Sequence, residues 1–410
     1  MVTRNDVARR AGTSPAVVSY VLNKGPRPVS AATSAKVMAA IEELGYRPNH
    51  LARALRVKRS MVLGLLMPDA SNPFFARLAR ALEDLAYDLG YALLVGNATD
   101  DDEREARYVS TFVDRQVDGL LLISSGKSRE SMQELNRARI PFVMVDRLLP
   151  EVPASTIVVD NEMGGYLATA HLMEHGHTRI ACLAGPNDLS PSSDRHRGWA
   201  RALRVRDLRP EDSLLVRSRF DRASGYEATR RLLEGPSRPT ALFATADIQA
   251  VGALRAASEA GLRVPEDLAV ASFDGIPEAA FTVPGLTTIV QPIELIARRT
   301  MELILERIRD PEMPGTAEVV PVALIRRGSC GCPEPRGVPT KAGGVRVRTG
   351  ISAEADPSLL QALSPIQEPE EGSRTGMTRA SFARSPMNSV NIAGRPSTIS
   401  ASRSLRGETS

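Results

Sequence analysis

Hydrophobic positions along this chain follow two rhythms. Up to residue 59 they fall at helical spacing in short stretches. Val7, Ala8 and Ala11 make the first, opened by Thr3 with Asp6 three residues on in the position of a capping-box acid. Gly12 ends it, because glycine tolerates a left-handed backbone. Val17, Val18, Val21 and Leu22 make the second, with Ser14 as its cap and Pro15 at its first position, where a missing N–H costs nothing. Val37, Ala40, Ile41 and Leu44 predict a third helix over 31–44, stopped by Gly45. A short fourth pattern, opened by Asn49, follows Pro48.

From Ser60 onward, short apolar runs alternate with amphipathic stretches. The run at 62–67 reads as a buried parallel strand. Helices are expected at 73–89, 101–115 and 130–139, with strands at 91–95, 119–123 and 142–145 between them. A second, similar series follows: strands at 157–159, 179–183, 214–216, 241–244 and 268–273, with helices at 164–175, 194–205, 223–234 and 247–260. A last helix spans 293–309. Strands alternating with helices predict doubly wound parallel sheets, an α/β fold. After Arg336 the character is lost, since Gly, Pro, Ser, Thr and Arg dominate. Such a stretch buries too little apolar surface to offset its ordering entropy, so a disordered tail is expected at 334–410.

On the second helix the polar face is distinctive. Ala16, Ser19, Tyr20 and Asn23 share it, at offsets of three, four and seven. A face of small, hydrogen-bonding side chains can lie against base edges, as the second helix of a helix-turn-helix does; an ordinary αα-hairpin is the plainer alternative. The stretch DVARRAGTSPAVVSYVLN, followed by IEELGYRPNHLARALR, resembles the DNA-binding head and hinge helix of the lac repressor family of bacterial transcription regulators. The resemblance runs on through MVLGLLMPDASNPFF to about Cys330.

That resemblance implies a helix-turn-helix head at 1–47, a hinge helix at 48–59 and a core at 60–333 built like periplasmic binding proteins from two Rossmann-like lobes. The first lobe is expected at about 60–160 and 290–320, the second at about 161–289 and 321–333. It implies base reading by Pro15, Ala16 and Tyr20, with Thr3, Ser14, Ser19, Asn23 and Arg27 as candidates for phosphate contacts. Pro15 and Ala16 depart from the polar pairs common at those positions and offer van der Waals contact to a thymine methyl. In the hinge, Leu55 matches the intercalating leucine, with Arg53 and Arg56 near the phosphates. Leu51 and Leu55, four apart, are also a plain apolar stripe.

Charge supports the head. Residues 1–60 hold eleven Lys or Arg against Asp6, Glu42 and Glu43, so they are more positive than the whole chain at +4. A basic patch alone is a solvated surface; beside a helix-turn-helix it reads as DNA-facing. No apolar run approaches the ~18 residues a membrane helix needs, and MVTRNDVARR lacks the apolar centre of a signal peptide. Cys182, Cys330 and Cys332 are too few for a disulfide framework, which fits a reducing cytoplasm. Cys330-Gly-Cys332 without other ligands reads as incidental, and His175-Gly176-His177 as a helix stop in which a protonated imidazole would suit the helix dipole. No metal or other cofactor is expected, and no G-x-S-x-G, P-loop or H-E-x-x-H pattern suggests an enzyme.

For the core, the resemblance implies an effector held beyond the carboxyl ends of the strands, by Asn72, Phe74 and Phe75, Asp146, Arg195, Phe220, Asp247 and Asp274. The expected partners are double-stranded operator DNA, a sugar-like small-molecule effector and a second copy of the chain, with no membrane. A repressor is the leading expectation. An activator or dual regulator, or a sugar-binding protein without DNA function, are the alternatives.

Overall fold

The computed structural model describes residues 2–23, 27–46, 59–124, 129–147, 154–235 and 238–333. All of the expected hinge helix but its last residue, and the whole tail from 334, lie outside these residues. The head is three helices, α1 (Arg4–Arg10), α2 (Pro15–Asn23) and α3 (Ala31–Leu44). Val7 and Ala8 of α1, Val18 of α2, and Val37 and Ala40 of α3 are buried against one another with Tyr46. The predicted terminators act as expected, with Gly12 and Gly45 left-handed at φ 65° and 59°.

The first lobe is a six-stranded parallel sheet in the order β2-β1-β3-β4-β5-β11. Its strands are β1 (Val62–Met67), β2 (Ala92–Asn97), β3 (Gly119–Leu122), β4 (Phe142–Val145), β5 (Ser155–Val159) and the late strand β11 (Ala317–Val320). Successive side chains of these strands serve different cores. Leu63, Leu65, Leu121, Val143 and Val145 pack with Phe74, Leu78 and Leu82 of α4 (Pro73–Asp88) and with Met301 and Ile304 of the long helix at 293–309. Leu66, Leu120, Leu122, Phe142 and Met144 pack with Val109 and Phe112 of α5 (Asp102–Asp114) and Met132 and Leu135 of α6 (Arg129–Ala138). A sheet covered on both faces needs apolar residues at every position, which is why its strands read as unbroken apolar runs.

The second lobe repeats this plan in the order β7-β6-β8-β9-β10-β12. It comprises β6 (Ile180–Ala184), β7 (Leu215–Arg217), β8 (Ala241–Ala244), β9 (Ala269–Asp274), β10 (Thr287–Val290) and β12 (Ala323–Ile325), the last antiparallel to β10. Its helices are α7 (Asn161–Glu174), α8 (Ser190–Val205), α9 (Arg222–Glu234) and α10 (Asp247–Glu259). The helix at 293–309 is therefore α11 (Ile293–Arg309); it follows β10 yet packs on the first lobe's α4.

Helices α7 and α8 touch backbone to backbone. A Cβ on Gly165 would stand 2.2 Å from Arg195 O, and one on Gly198 would stand 2.1 Å from Glu162 O. Only glycine permits that approach.

Several elements differ from the sequence reading. Helix α7 starts at Asn161 rather than 164, because Asp160 caps it through Met163 N at 2.9 Å and packing outweighs the low propensity of Gly164-Gly165. Helix α8 starts at Ser190 rather than 194, with Pro191 and Ser192 buried. Strands β10, β11 and β12 have no counterpart in the sequence reading; Pro321 divides the apolar stretch from Val319 to Ile325 into two short strands, one in each sheet.

Candidate functional site

Two sets of residues bear on function, one in the head and one at the carboxyl edges of the sheets. In the head, Thr3 and Asp6 form the capping box. Thr3 Oγ1 donates to Asp6 Oδ2 at 2.6 Å, and Asp6 N donates to Thr3 Oγ1 at 3.4 Å. The Thr3 hydroxyl hydrogen is thereby used within the cap. Ser14 Oγ accepts from Val17 N at 3.3 Å, which leaves its hydroxyl hydrogen as a donor at the start of α2. Helix α2 buries Val18 and keeps Pro15 and Ala16 exposed, with Ser19 and Tyr20 half-buried. Arg10 pairs with Glu43 through Nη2 at 2.7 Å, holding α1 to α3. Asn23 ends α2, and Arg27 is exposed. Arg53, Leu55 and Arg56 lie outside the described residues.

At the sheet edges the structure brings Arg195 and Asp274 into contact. Arg195 lies on α8, and its Nη1 donates to Asp274 Oδ1 at 3.1 Å and to Thr245 O at 2.7 Å. Its Nε donates to Asn161 Oδ1 at 2.8 Å, and its guanidinium carbon sits 3.7 Å from the centre of the Phe273 ring. Asp274 ends β9 with φ at 121° and also accepts from Gln291 Nε2 at 2.9 Å. Phe74, Asp146 and Gln291 meet there with Val145, Val159 and Ile296 around a crevice too narrow to admit a water molecule. The site thus joins residues of both lobes, and Arg77 of the first lobe donates to Gly275 O of the second at 3.1 Å.

Electrostatics there are unbalanced. Burial raises the Asp274 carboxyl to about 7, against the pull of Arg195, while Asp247 and Asp146 push it up further. Asp146 is raised by burial as well, opposed by Arg195 and Arg147. Arg195 is thus shared between Asp274 and Asp146, with Arg147 as a second buried cation 4.0 Å from Asp146 Oδ2.

The remaining expected cleft residues are placed differently. Asn72 is buried and caps α4, its Oδ1 accepting from Phe74 N at 3.0 Å. Phe75 packs edge-on against Phe74, with centroids 5.1 Å apart. Phe220 is half-buried over Gly185 at the end of β6, where a Cβ would meet its ring at 2.2 Å.

Asp247, also expected at the cleft, is held by its own neighbours. It is wholly buried, with one oxygen on Ser272 Oγ and Thr288 Oγ1 and the other accepting from Ile276 N at 2.8 Å. Its carboxylate anchors the loop after Asp274 through Ile276 N. Asn161 and Gln291 are additions that sequence reasoning missed. They sit at the junctions between a strand of one lobe and a helix, and a lone amide there carries no periodic signal.

Comparison with known proteins decides the family. Residues 3–49 match the bacterial regulatory proteins, lacI family, and residues 169–330 match a periplasmic binding protein-like domain. The ribose operon repressor of Escherichia coli (strain K12) is 39% identical over 331 residues, covering 80% of this chain and 100% of that protein. The chain belongs to the lacI family of bacterial regulatory proteins. Its members are transcriptional regulators and not enzymes. Among solved structures, a lac repressor dimer bound to operator and the anti-inducer ONPF superposes with a TM-score of 0.72 at 29% identity, over 80% of this chain and 99% of that one. A lacI-family regulator from Enterococcus faecium with bound ribose gives 0.60 at 32% identity, over 65% and 98%.

Beyond the family pattern, the structure corrects the reading of the cysteines. Cys330-Gly-Cys332 does not stand alone: His171 Nε2 lies 3.2 Å from Cys330 Sγ, and His175 Nε2 lies 3.4 Å from Cys332 Sγ. His177 points elsewhere, with Nδ1 3.1 Å from Thr240 Oγ1. Burial holds the His175 and His177 imidazoles below their ordinary value. Among the described residues no helix is long and apolar enough to cross a membrane.

Proposed function

We propose that this protein is a cytoplasmic, homodimeric transcriptional repressor whose affinity for operator DNA is set by a pentose bound between the two lobes. The observation that carries this reading is the buried Arg195–Asp274 pair at the carboxyl edge of the second sheet, tied through Gln291 to the crevice lined by Asp146 and Phe74 of the first. A planar donor fork beside carboxylate acceptors suits the hydroxyls of a sugar, and an aromatic face suits its C–H surface. The ribose named for the Escherichia coli relative and bound in the Enterococcus structure supports the choice of sugar.

In the head, α2 enters the major groove, where Tyr20 reads a base edge and Pro15 and Ala16 contact a thymine methyl. Ser14, Ser19, Asn23 and Arg27 reach phosphates, while Thr3 fixes the start of α1. In the hinge, Leu55 wedges into the minor groove, with Arg53 and Arg56 near the phosphates. Pentose binding favours one closure of the lobes, and that preference alters operator affinity by the amount that operator alters pentose affinity.

The test is to select binding fragments from genomic DNA with the purified protein, then titrate ribose into the protein–fragment complex and follow fluorescence anisotropy. A change in operator affinity that other pentoses and hexoses fail to produce is expected. Unchanged affinity with every sugar would remove the pentose from the proposal.

A further inference from the structure

At the far end of α7 from Asn161, four metal-binding side chains converge. His171 and His175, one helical turn apart, project from the same face of α7. Cys330 and Cys332 approach from the last described segment and flank Gly331, whose φ is 94°. Their ligand atoms all lie within 4.8 Å of one another. We propose that His171, His175, Cys330 and Cys332 form a closed tetrahedral site for zinc, which clips the end of the core onto α7.

The distances fit that geometry. Ligands on a tetrahedral zinc, with Zn–S about 2.3 Å and Zn–N about 2.0 Å, stand about 3.5 Å apart. Here His171 Nε2 is 3.2 Å from Cys330 Sγ and 3.5 Å from Cys332 Sγ, and His175 Nε2 is 3.4 Å from Cys332 Sγ. Two thiolates with two imidazoles are the donor set that selects zinc over hard cations. All four positions are filled by protein, so the site is structural.

The surroundings support the ligands. His171 is buried, and its Nδ1 has no hydrogen-bond partner, while Glu174 Oε2 lies 3.5 Å away. From that distance a small turn of the carboxylate would bring it onto Nδ1, the contact that leaves Nε2 to bind metal. Thr287 Oγ1 lies 3.0 Å from Cys330 Sγ and 2.9 Å from Arg327 O, so its one hydroxyl hydrogen is shared between them. A Cβ on Gly331 would pack 3.5 Å from His175 Nδ1 on a backbone that side chains rarely adopt, so glycine suits the tight turn. His171 and Cys330 are 159 residues apart. A cross-link closing so long a loop constrains the unfolded chain strongly.

The experiment uses the full chain, purified without chelators or metal-affinity resin. Elemental analysis should find a stoichiometric equivalent of zinc. Cobalt substitution should give the intense visible bands of a tetrahedral site and a thiolate charge-transfer band. Cys332→Ser, at a half-buried position on the rim of the core, and His175→Ala, at an exposed one, should lose the metal and these bands while keeping the far-UV circular dichroism spectrum. Should either variant misfold, 1,10-phenanthroline should lower the melting temperature of the unaltered protein, and added zinc should restore it. Absence of zinc with no response to added metal would overturn the site, as would zinc retained by both variants. A Cys330–Cys332 disulfide in freshly purified protein would overturn it too.

Discussion

Arg195 and Asp274 meet through a 3.1 Å hydrogen bond with side chains only 4% and 5% exposed. Removing two charges from water is costly, and the Coulombic gain between them rarely exceeds it. Here a second carboxylate, Asp146, is close enough to shift Asp274 as well. The pair is thus a weak source of stability.

Stability should therefore depend on pH in a specific direction. The folded Asp274 carboxyl is raised to about 7 from 3.8, mainly by burial, so the native state binds more protons than the unfolded state between those values. Its contribution is greatest below the unfolded pKa and falls as pH rises through the folded one. Thermal melts of effector-free protein should show declining stability from about pH 5 to about pH 8, and Asp274→Asn should flatten that slope. An unchanged slope in the variant would assign the dependence to another group.

Arg195→Ala should weaken pentose binding by roughly 2–3 kcal/mol, since it removes a charge-assisted donor from a buried site. Arg195→Lys should not restore it, because a point charge cannot address Asn161, Thr245 and Asp274 together. Calorimetric titration with ribose checks both variants. Affinity equal to that of the unaltered protein would take Arg195 out of the site.

Gly198→Ala tests the helix contact that supports Arg195. The added Cβ would stand 2.1 Å from Glu162 O, so α7 and α8 must separate. A loss of about 1–3 kcal/mol in stability is expected from such overpacking. Because Asn161 and Arg195 sit on opposite sides of that contact, pentose affinity should fall too. Urea melts and ribose titration read the two effects separately.

Tyr20→Ala should cost roughly 1–3 kcal/mol on operator and little on random DNA if the phenol reads a base. Competition binding on the two DNAs measures the difference. Equal losses would make Tyr20 a folding or backbone-positioning residue of α2.

The sequence by itself determined the elements and the family. Caps and terminators such as Thr3, Ser14, Gly12 and Gly45 act within a few residues, so helices α1 to α3 are written locally. The apolar runs of β1, β3, β4, β8 and β9 are legible because strands covered on both faces must be apolar throughout. Family likeness pointed to Arg195 and Asp274, but not to Asn161 and Gln291, which complete their hydrogen bonds from the junctions between lobes.

What tertiary structure alone decided is whatever depends on contact between distant segments. Asp247 follows a strand as a ligand-binding carboxylate would, yet folding surrounds it with Ser272, Thr288 and Ile276 and commits both its oxygens. Cys330-Gly-Cys332 is a bare pair in the sequence because its two histidines lie far back in α7. Only the packing of α7 against the end of the second lobe brings His171 to 3.2 Å from Cys330, and periodicity carries no record of that approach.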